Sequence, residues 1–292
     1  GIEIMPELPE VEHLRRHLCN SIQDATVSEV QLHRPGIVNA KGSGSGSRAD
    51  SHGLLLGGRI SNLVRKGKQL AIEVADGRVL CIHLGMSGRV QIINRNEPDQ
   101  IEPHTHCIWK LSGAPEACEM RFIDPRRFGG LWTLSSHERL LRTRWDKLGP
   151  DALQLEPDVL ECSLAGRSRG LKSALLDQHV VAGLGNIYVD EALFRAGLNP
   201  RQPAGTLKSS EIDLLTRQIV EILQEAISMG GSTVRTWLDS TGQKGSFVST
   251  HRVYGRSGEL CVNCGQLLKD RVIAQRQTVW CSKCQPFRRR RR

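Results

Sequence analysis

Four cysteines near the end of this 292-residue chain form two Cys-x-x-Cys hooks, Cys261/Cys264 and Cys281/Cys284, with 16 residues between them. That spacing suits a tetrathiolate zinc ribbon. Each hook puts two thiolates on one side of a tight turn, and the intervening hairpin brings the second pair round to complete a tetrahedron. Four thiolates leave no position for water, so the single Zn2+ expected here is structural and not catalytic. Near the other end lies Met5-Pro-Glu-Leu-Pro-Glu10. Taken alone it reads as a helix start, with Pro9 at the first position and Glu10 and Glu12 in the first turn, ahead of Leu14, Arg15, Arg16 and Leu18.

Composition narrows the setting. The length accommodates two domains with real cores. Hydrophobic residues make up 39%, but no apolar run approaches the ~20 residues a bilayer span needs, and no secretory signal is legible. A soluble, cytoplasmic protein is expected. Outside the hooks, Cys19, Cys81, Cys107, Cys118 and Cys162 have no framework spacing and read as reduced thiols. The net charge of +9 suggests a polyanionic partner, yet five of those charges are the terminal run Arg288 to Arg292, which leaves +4 elsewhere. Such a tail reads as a solvated end that would add salt-sensitive, non-specific affinity near DNA.

Between about Thr26 and Leu134 the pattern is that of strands. Gln69-Leu-Ala-Ile-Glu-Val and Arg78-Val-Leu-Cys-Ile-His nearly alternate, and Ala75-Asp76-Gly77 supplies a hairpin turn between them. Cys107–Leu111, Glu119–Ile123 and Gly130–Leu134 have strand length, and an antiparallel sandwich or barrel is their natural closure. Lys41-Gly-Ser-Gly-Ser-Gly-Ser47 reads as a flexible loop inside this domain. Past about Ser135 the pattern becomes helical. Ile212, Leu215, Ile219, Ile222, Leu223 and Ala226 form one apolar stripe in a helix expected from Ser210 to Met229, capped by Ser209 or Ser210 and stopped by Gly230-Gly231. A shorter helix is expected from Tyr188 to Ala196. The resulting α+β organisation is a β-sandwich domain over 1–134, a helical domain over 135–250, a zinc hairpin over 251–287 and a basic tail over 288–292.

Segments spread along the chain form a further pattern: Pro6-Glu-Leu-Pro-Glu10, Arg65-Lys-Gly-Lys68, His83-Leu-Gly-Met-Ser-Gly88, Asp124-Pro-Arg-Arg-Phe-Gly129, Leu176-Asp-Gln178, Val181-Ala-Gly-Leu-Gly-Asn-Ile-Tyr188, Val253-Tyr-Gly-Arg256 and the cysteine hooks. In order and spacing this series closely resembles the bacterial formamidopyrimidine-DNA glycosylases of the Fpg/Nei family, from Met5 to Gln285. The resemblance implies an antiparallel β-sandwich joined to a helical domain with a helix-two-turn-helix element and a zinc hairpin, with double-stranded DNA between the domains. It also implies a monomeric, bifunctional glycosylase and AP lyase of base-excision repair that removes oxidised purines in a bacterial, nucleoid-associated setting.

By the same resemblance Pro6 is the nucleophile once the methionine before it is removed. Its secondary amine would attack C1′ of the damaged nucleoside and form an iminium directly, and an α-amino pKa near ~8 leaves a useful neutral fraction. Glu7 matches the acid that protonates the sugar oxygen, Lys68 the lysine of β-elimination and Arg276 the hairpin arginine of δ-elimination. Each has a plain alternative: Glu7 as a helix-start acid, Lys68 as a strand-edge charge, Arg276 as a phosphate contact. Met86, Arg126 and Phe128 match three void-filling side chains, a wedge, a guanidinium for the orphaned base and an aromatic to stack, in an enzyme that must flip its base. His83, His104 and Arg127 fit DNA contacts, and Asn186, placed at the turn before a helix, could grip a phosphate. Arg167 and Lys172 would add charge along the backbone or simply face solvent. Thr233–Phe247 resembles a flexible lesion-recognition loop.

The chain departs from the pattern at Gly1-Ile-Glu-Ile4, which precede Met5. With those residues attached the Pro6 nitrogen is a tertiary amide and no nucleophile, so the reading expects them to be a remnant or a misassigned start. Two other readings stay open. An endonuclease VIII-like glycosylase for oxidised pyrimidines is separated by a lesion panel, and a non-catalytic zinc-ribbon DNA-binding protein by the absence of a Pro6 amine beside Glu7 and Lys68.

Overall fold

A computed structural model describes residues 5–39, 52–96, 100–232 and 245–288. The expectations for Gly1–Ile4, for the Gly-Ser loop at 41–47, for 233–244 of the lesion-recognition loop and for the arginine tail past Arg288 lie outside the described residues.

The described residues fall into two compact units. One runs to Lys147 and includes residues 230–232 and 245–246; the other comprises Leu148–Met229 and residues 247–288. In the first unit, helix α1 (Leu8–Ile22) lays Val11, Leu14, Leu18 and Ile22 into the core at spacings of three and four. Eight antiparallel strands follow: β1 (Thr26–Leu32), β2 (Ile60–Lys66), β3 (Gln69–Val74), β4 (Val79–His83), β5 (Arg89–Asn94), β6 (Thr105–Ser112), β7 (Ala117–Ile123) and β8 (Gly130–Leu134). They make two four-stranded sheets, ordered β1-β6-β7-β5 and β2-β3-β4-β8. Leu70, Ile72, Leu80, Ile82 and Leu131 of one sheet share a single buried cluster with Val90, Ile92, Trp109, Met120 and Phe122 of the other, as inward-facing residues of a sandwich should. The β3–β4 turn forms at Ala75-Asp76-Gly77 as expected, with Gly77 at φ 96° and Asp76 Oδ1 accepting the Arg78 N–H at 3.1 Å.

Helix α2 (His137–Leu140) and a turn of π-helix over Leu141–Trp145 belong to this first unit, so the division falls at Lys147 rather than at the composition change near 134. The reason is local. Arg144 stacks on Trp132 of β8 with its guanidinium 3.8 Å from the ring centroid, and Lys66 Nζ donates to the Trp145 carbonyl at 3.2 Å.

The second unit contains α3 (Pro157–Leu164), α4 (Leu171–Leu175), α5 (Asn186–Arg195) and α6 (Ser209–Ser228). Between α4 and α5 the chain makes two successive turns. Gln178 braces them, donating through Nε2 to the Leu184 carbonyl at 2.8 Å and accepting the Gly183 N–H at 2.9 Å. Helix α6 buries the expected stripe, but its cap differs from expectation. Ser209 lies inside the helix and donates to Glu161 at 3.2 Å. The end is closed instead by Glu211, whose carboxylate accepts the Lys208 N–H at 3.0 Å; a glutamate three residues into a helix can reach back in this way. A last hairpin, β9 (Lys269–Ile273) and β10 (Arg276–Trp280), carries the cysteine hooks on its flanks.

Candidate nucleic-acid interface and zinc centre

In the first unit, Pro6 is buried directly ahead of α1. Glu7 is buried too, and its backbone N–H donates to Glu10 Oε2 at 2.9 Å. The other oxygen of Glu10 accepts the Ser232 N–H at 2.7 Å, so one buried carboxylate ties the α1 start to the residue that precedes 233–244. Lys68 sits in the two-residue β2–β3 turn after Gly67, whose φ of 57° is a backbone conformation suited to glycine. Its side chain is largely buried. His83 lies directly across from Gln69 in the β3–β4 ladder. Burial, reinforced by the positive charges of Lys68 and Arg144, lowers His83 to about 4, so its ring is neutral at cellular pH.

Met86, His104, Arg126, Arg127 and Phe128 are brought together by a residue to which sequence reasoning gave no role. Asp124 is fully buried. Its Oδ1 accepts Ser87 Oγ–H at 2.6 Å, its Oδ2 accepts the Gly129 N–H at 2.8 Å, and its own N–H donates to the His104 carbonyl at 3.1 Å. The Ser87 hydroxyl in turn accepts the Arg126 N–H at 3.1 Å. A Cβ on Gly85 would come within 2.3 Å of the Phe128 carbonyl carbon, so the two turns touch backbone to backbone. The outcome is a half-buried Met86 beside exposed Arg126, Arg127 and Phe128, with the Arg126 guanidinium 4.8 Å from the Phe128 ring centroid. Phe128 is 55% exposed, far from the ordinary state of a core aromatic. His104 and Arg127 adopt φ of 67° and 60°, left-handed values that cost a non-glycine residue energy and cluster at functional sites.

In the second unit Arg167 is exposed and donates to the Ser163 carbonyl at 2.6 Å. Lys172 corrects both expected readings, a charge along the DNA backbone and a solvent-facing side chain. It is wholly buried, with Nζ 2.6 Å from Asp190 Oδ1 and 3.3 Å from the Gln277 carbonyl. A buried ammonium must be paired, and here it joins α4, α5 and the base of the hairpin. Burial outweighs Lys172 and holds the Asp190 carboxyl up at about 6, while its Oδ2 also accepts the Val279 N–H at 3.2 Å. Asn186 is the first residue of α5 rather than part of the preceding turn, and its Nδ2 donates to the Gln277 carbonyl at 2.9 Å. Arg276 is exposed at the tip of the hairpin, after Ala274 and Gln275 at φ 49° and 59°. Glu191 also went unrecognised. Its buried carboxylate accepts the N–H groups of Arg252, Val253 and Tyr254 at 2.8–3.0 Å, which holds the Val253-Tyr-Gly-Arg256 segment. Two adjacent acids inside the apolar run Ile187–Phe194 were the available signal, because such acids need buried partners.

The four hook cysteines converge, all Sγ atoms lying within 4.8 Å of one another. Cys264 and Cys281 are 3.5 Å apart and Cys261 and Cys284 3.9 Å. Tetrahedral bonds of ~2.3 Å to zinc require sulfurs about 3.8 Å apart, so this donor set fits the ion.

A two-sheet sandwich, a helix-two-turn-helix and a four-cysteine hairpin in one chain define a class of DNA-repair glycosylases. Family models described as the formamidopyrimidine-DNA glycosylase N-terminal domain, the formamidopyrimidine-DNA glycosylase H2TH domain and a zinc finger found in FPG and IleRS match residues 5–131, 148–237 and 258–286. The chain belongs to the formamidopyrimidine-DNA glycosylase family. It is 39% identical to the formamidopyrimidine-DNA glycosylase of Geobacillus kaustophilus, over 96% of this chain and 100% of that one. MutM (Fpg) of Thermus thermophilus superposes with a TM-score of 0.82 at 36% identity, over 97% and 100% of the two chains. The Lactococcus lactis Fpg gives 0.83 at 33%, over 96% and 99%.

Proposed function

We propose that the protein is a bifunctional DNA glycosylase and AP lyase that removes oxidised purines, 8-oxoguanine and formamidopyrimidines, from double-stranded DNA. The observation that carries this reading is the knot around Asp124, which presents Met86, Arg126 and Phe128 together at the surface, where a wedge, a cation and a stacking ring can fill the space left by a flipped base. The relatives support it. The Lactococcus lactis Fpg was solved with DNA containing an abasic site and, as a variant, with Fapy-dG DNA; a MutM was solved with DNA containing carbocyclic 8-oxo-G.

In this reading the Pro6 amine attacks C1′, and the damaged base leaves with the glycosidic electron pair and takes up the proton that the Pro6 nitrogen gives up. Glu7 protonates the sugar ring oxygen as the C1′–O4′ bond breaks and the ring opens to an iminium. The iminium acidifies the C2′ proton, Lys68 serves the proton transfer of β-elimination, and Arg276 assists the following δ-elimination. His83, His104, Arg127, Arg167 and Asn186 contact DNA. Cys261, Cys264, Cys281 and Cys284 would hold one zinc ion, whose four bonds would keep the hairpin that carries Arg276 in shape. The protein acts as a monomer on cytoplasmic DNA.

Borohydride trapping on a duplex with one 8-oxoguanine opposite cytosine tests the reading, using protein whose first residue is shown by mass to be Pro6. An adduct mapped to Pro6 is expected. Binding without any adduct overturns the enzyme reading in favour of a DNA-binding role.

A further inference from the structure

The Lys68 turn and the start of α1 lie far apart in sequence, and one buried ion pair joins the elements that carry them. Arg65 is the penultimate residue of β2, paired with Leu70, three residues ahead of Lys68. Its Nε donates to Glu12 Oε2 at 3.0 Å, both side chains being only 6% exposed. Its Nη1 donates to the Gly67 carbonyl at 2.9 Å, inside the turn that presents Lys68. Glu12 belongs to α1, the helix that begins at the Pro6-Glu7 end. Its other oxygen accepts from Arg15 at 2.8 Å and Arg16 at 2.9 Å.

Burial alone would raise Glu12, but the hydrogen bonds from Arg15, Arg16 and Arg65 outweigh it and hold the carboxyl at about 2. The carboxylate is therefore charged throughout the working pH range. A single planar guanidinium thus bonds the helix with one nitrogen and the turn carbonyl with another. A lysine keeps the charge but lacks that rigid fork.

We infer that Arg65 and Glu12 are positioning residues, which register the Lys68 turn against α1 and so against the Pro6-Glu7 end. The inference rests on the proposed role of Lys68 in elimination. It assigns the pair a selective consequence: loosening it should slow elimination while the earlier attack by Pro6 continues.

The test is single-turnover reaction on a duplex with one 8-oxoguanine, using full-length protein beginning at Pro6. Borohydride-trapped adduct and strand cleavage are followed separately. Arg65→Lys is expected to slow cleavage about tenfold or more, as small misplacements of a reacting group do, while trapped Pro6 adduct persists or accumulates. Lys68→Met run alongside should show the same split. Adduct and cleavage falling by one common factor in Arg65→Lys, or cleavage at the unsubstituted rate, overturns the inference. Should Lys68→Met cleave normally, the reading of Lys68 fails and the inference with it. Should only Lys68→Met split the steps, the inference fails alone. If Arg65→Lys does not fold, Glu12→Gln, which retains one acceptor oxygen, is read by the same criteria, with cleavage slowed about threefold.

Discussion

Ser87 Oγ donates to Asp124 Oδ1 at 2.6 Å and accepts the Arg126 N–H at 3.1 Å, so one hydroxyl fastens the turn bearing Met86 to the loop bearing Arg126 and Phe128. Removing it costs two hydrogen bonds, about 1–2 kcal/mol of preorganisation. Ser87→Ala is therefore expected to weaken binding of an abasic-site duplex about tenfold while undamaged duplex, held through phosphates, changes little. Fluorescence anisotropy on the two duplexes measures this. Equal weakening of both would show that the knot serves the general interface and not the flipped-base site.

Lys172 and Asp190 test what a buried pair does when broken. Lys172→Met leaves Asp190 with its Val279 N–H bond but no counter-ion, and a loss of about 3–5 kcal/mol in unfolding free energy is expected. Lys172→Met with Asp190→Leu should recover much of that loss. Denaturant titration reads both, and a single variant as stable as the parent would show that the pair does not hold the hairpin base.

The acid limb of stability carries a histidine signature. His83 and His251 are both lowered to about 4, chiefly by burial. Between the ordinary value of about 6.5 and 4 the unfolded chain takes up protons that the folded chain refuses, so stability falls as pH drops through that window and is fully retained above it. Asp190, raised to about 6, works in the opposite sense between 6 and its ordinary 3.8. His251→Phe should flatten the acid limb by one proton, about 1.4 kcal/mol per pH unit. Urea unfolding at several pH values checks it; an unchanged slope would mean that folded His251 titrates normally.

Zinc removal should act through the hairpin. The local core around the hooks is small, with Phe194, Val253, Leu268 and Val279 beside the cysteines, too little apolar surface to hold β9 and β10 alone. The purified protein should carry about one zinc ion per chain, and Cys264→Ser should lose it with a DNA-affinity drop of about tenfold or more. Metal analysis and binding measured on the same samples decide this. Full affinity without metal would refute a structural role for the ion.

Much of this could be read in one dimension because it is periodic or local. The α6 stripe, the strand alternation of β3 and β4, the turn at Asp76-Gly77 and the paired hooks each depend on neighbours within a few residues. Strands β1, β2 and β5 are not individually legible, since Thr26–Leu32, Ile60–Lys66 and Arg89–Asn94 mix polar and apolar residues without a sustained alternation. The α6 cap was misread because a serine at the right place competes with a glutamate whose reach is visible only in three dimensions.

Taken alone, residue type and spacing determined the antiparallel strand region, the apolar stripe of α6 and the convergence of four cysteines, because each is carried by a local pattern, while the sandwich closure and the two-turn motif came with the resemblance to a family. Whether a charged side chain meets solvent or a buried partner depends on residues distant in sequence, and only the tertiary structure decided it. Lys172 reads in the chain as a cation for the DNA backbone or for solvent, and is wholly enclosed against Asp190 and Gln277. Asp124 and Glu191 receive no role from the sequence and Glu12 reads as a first-turn helix acid, yet each is a buried carboxylate whose partners converge from other elements. Burial makes such groups costly unless every oxygen is satisfied, and those partners were brought within reach only by folding.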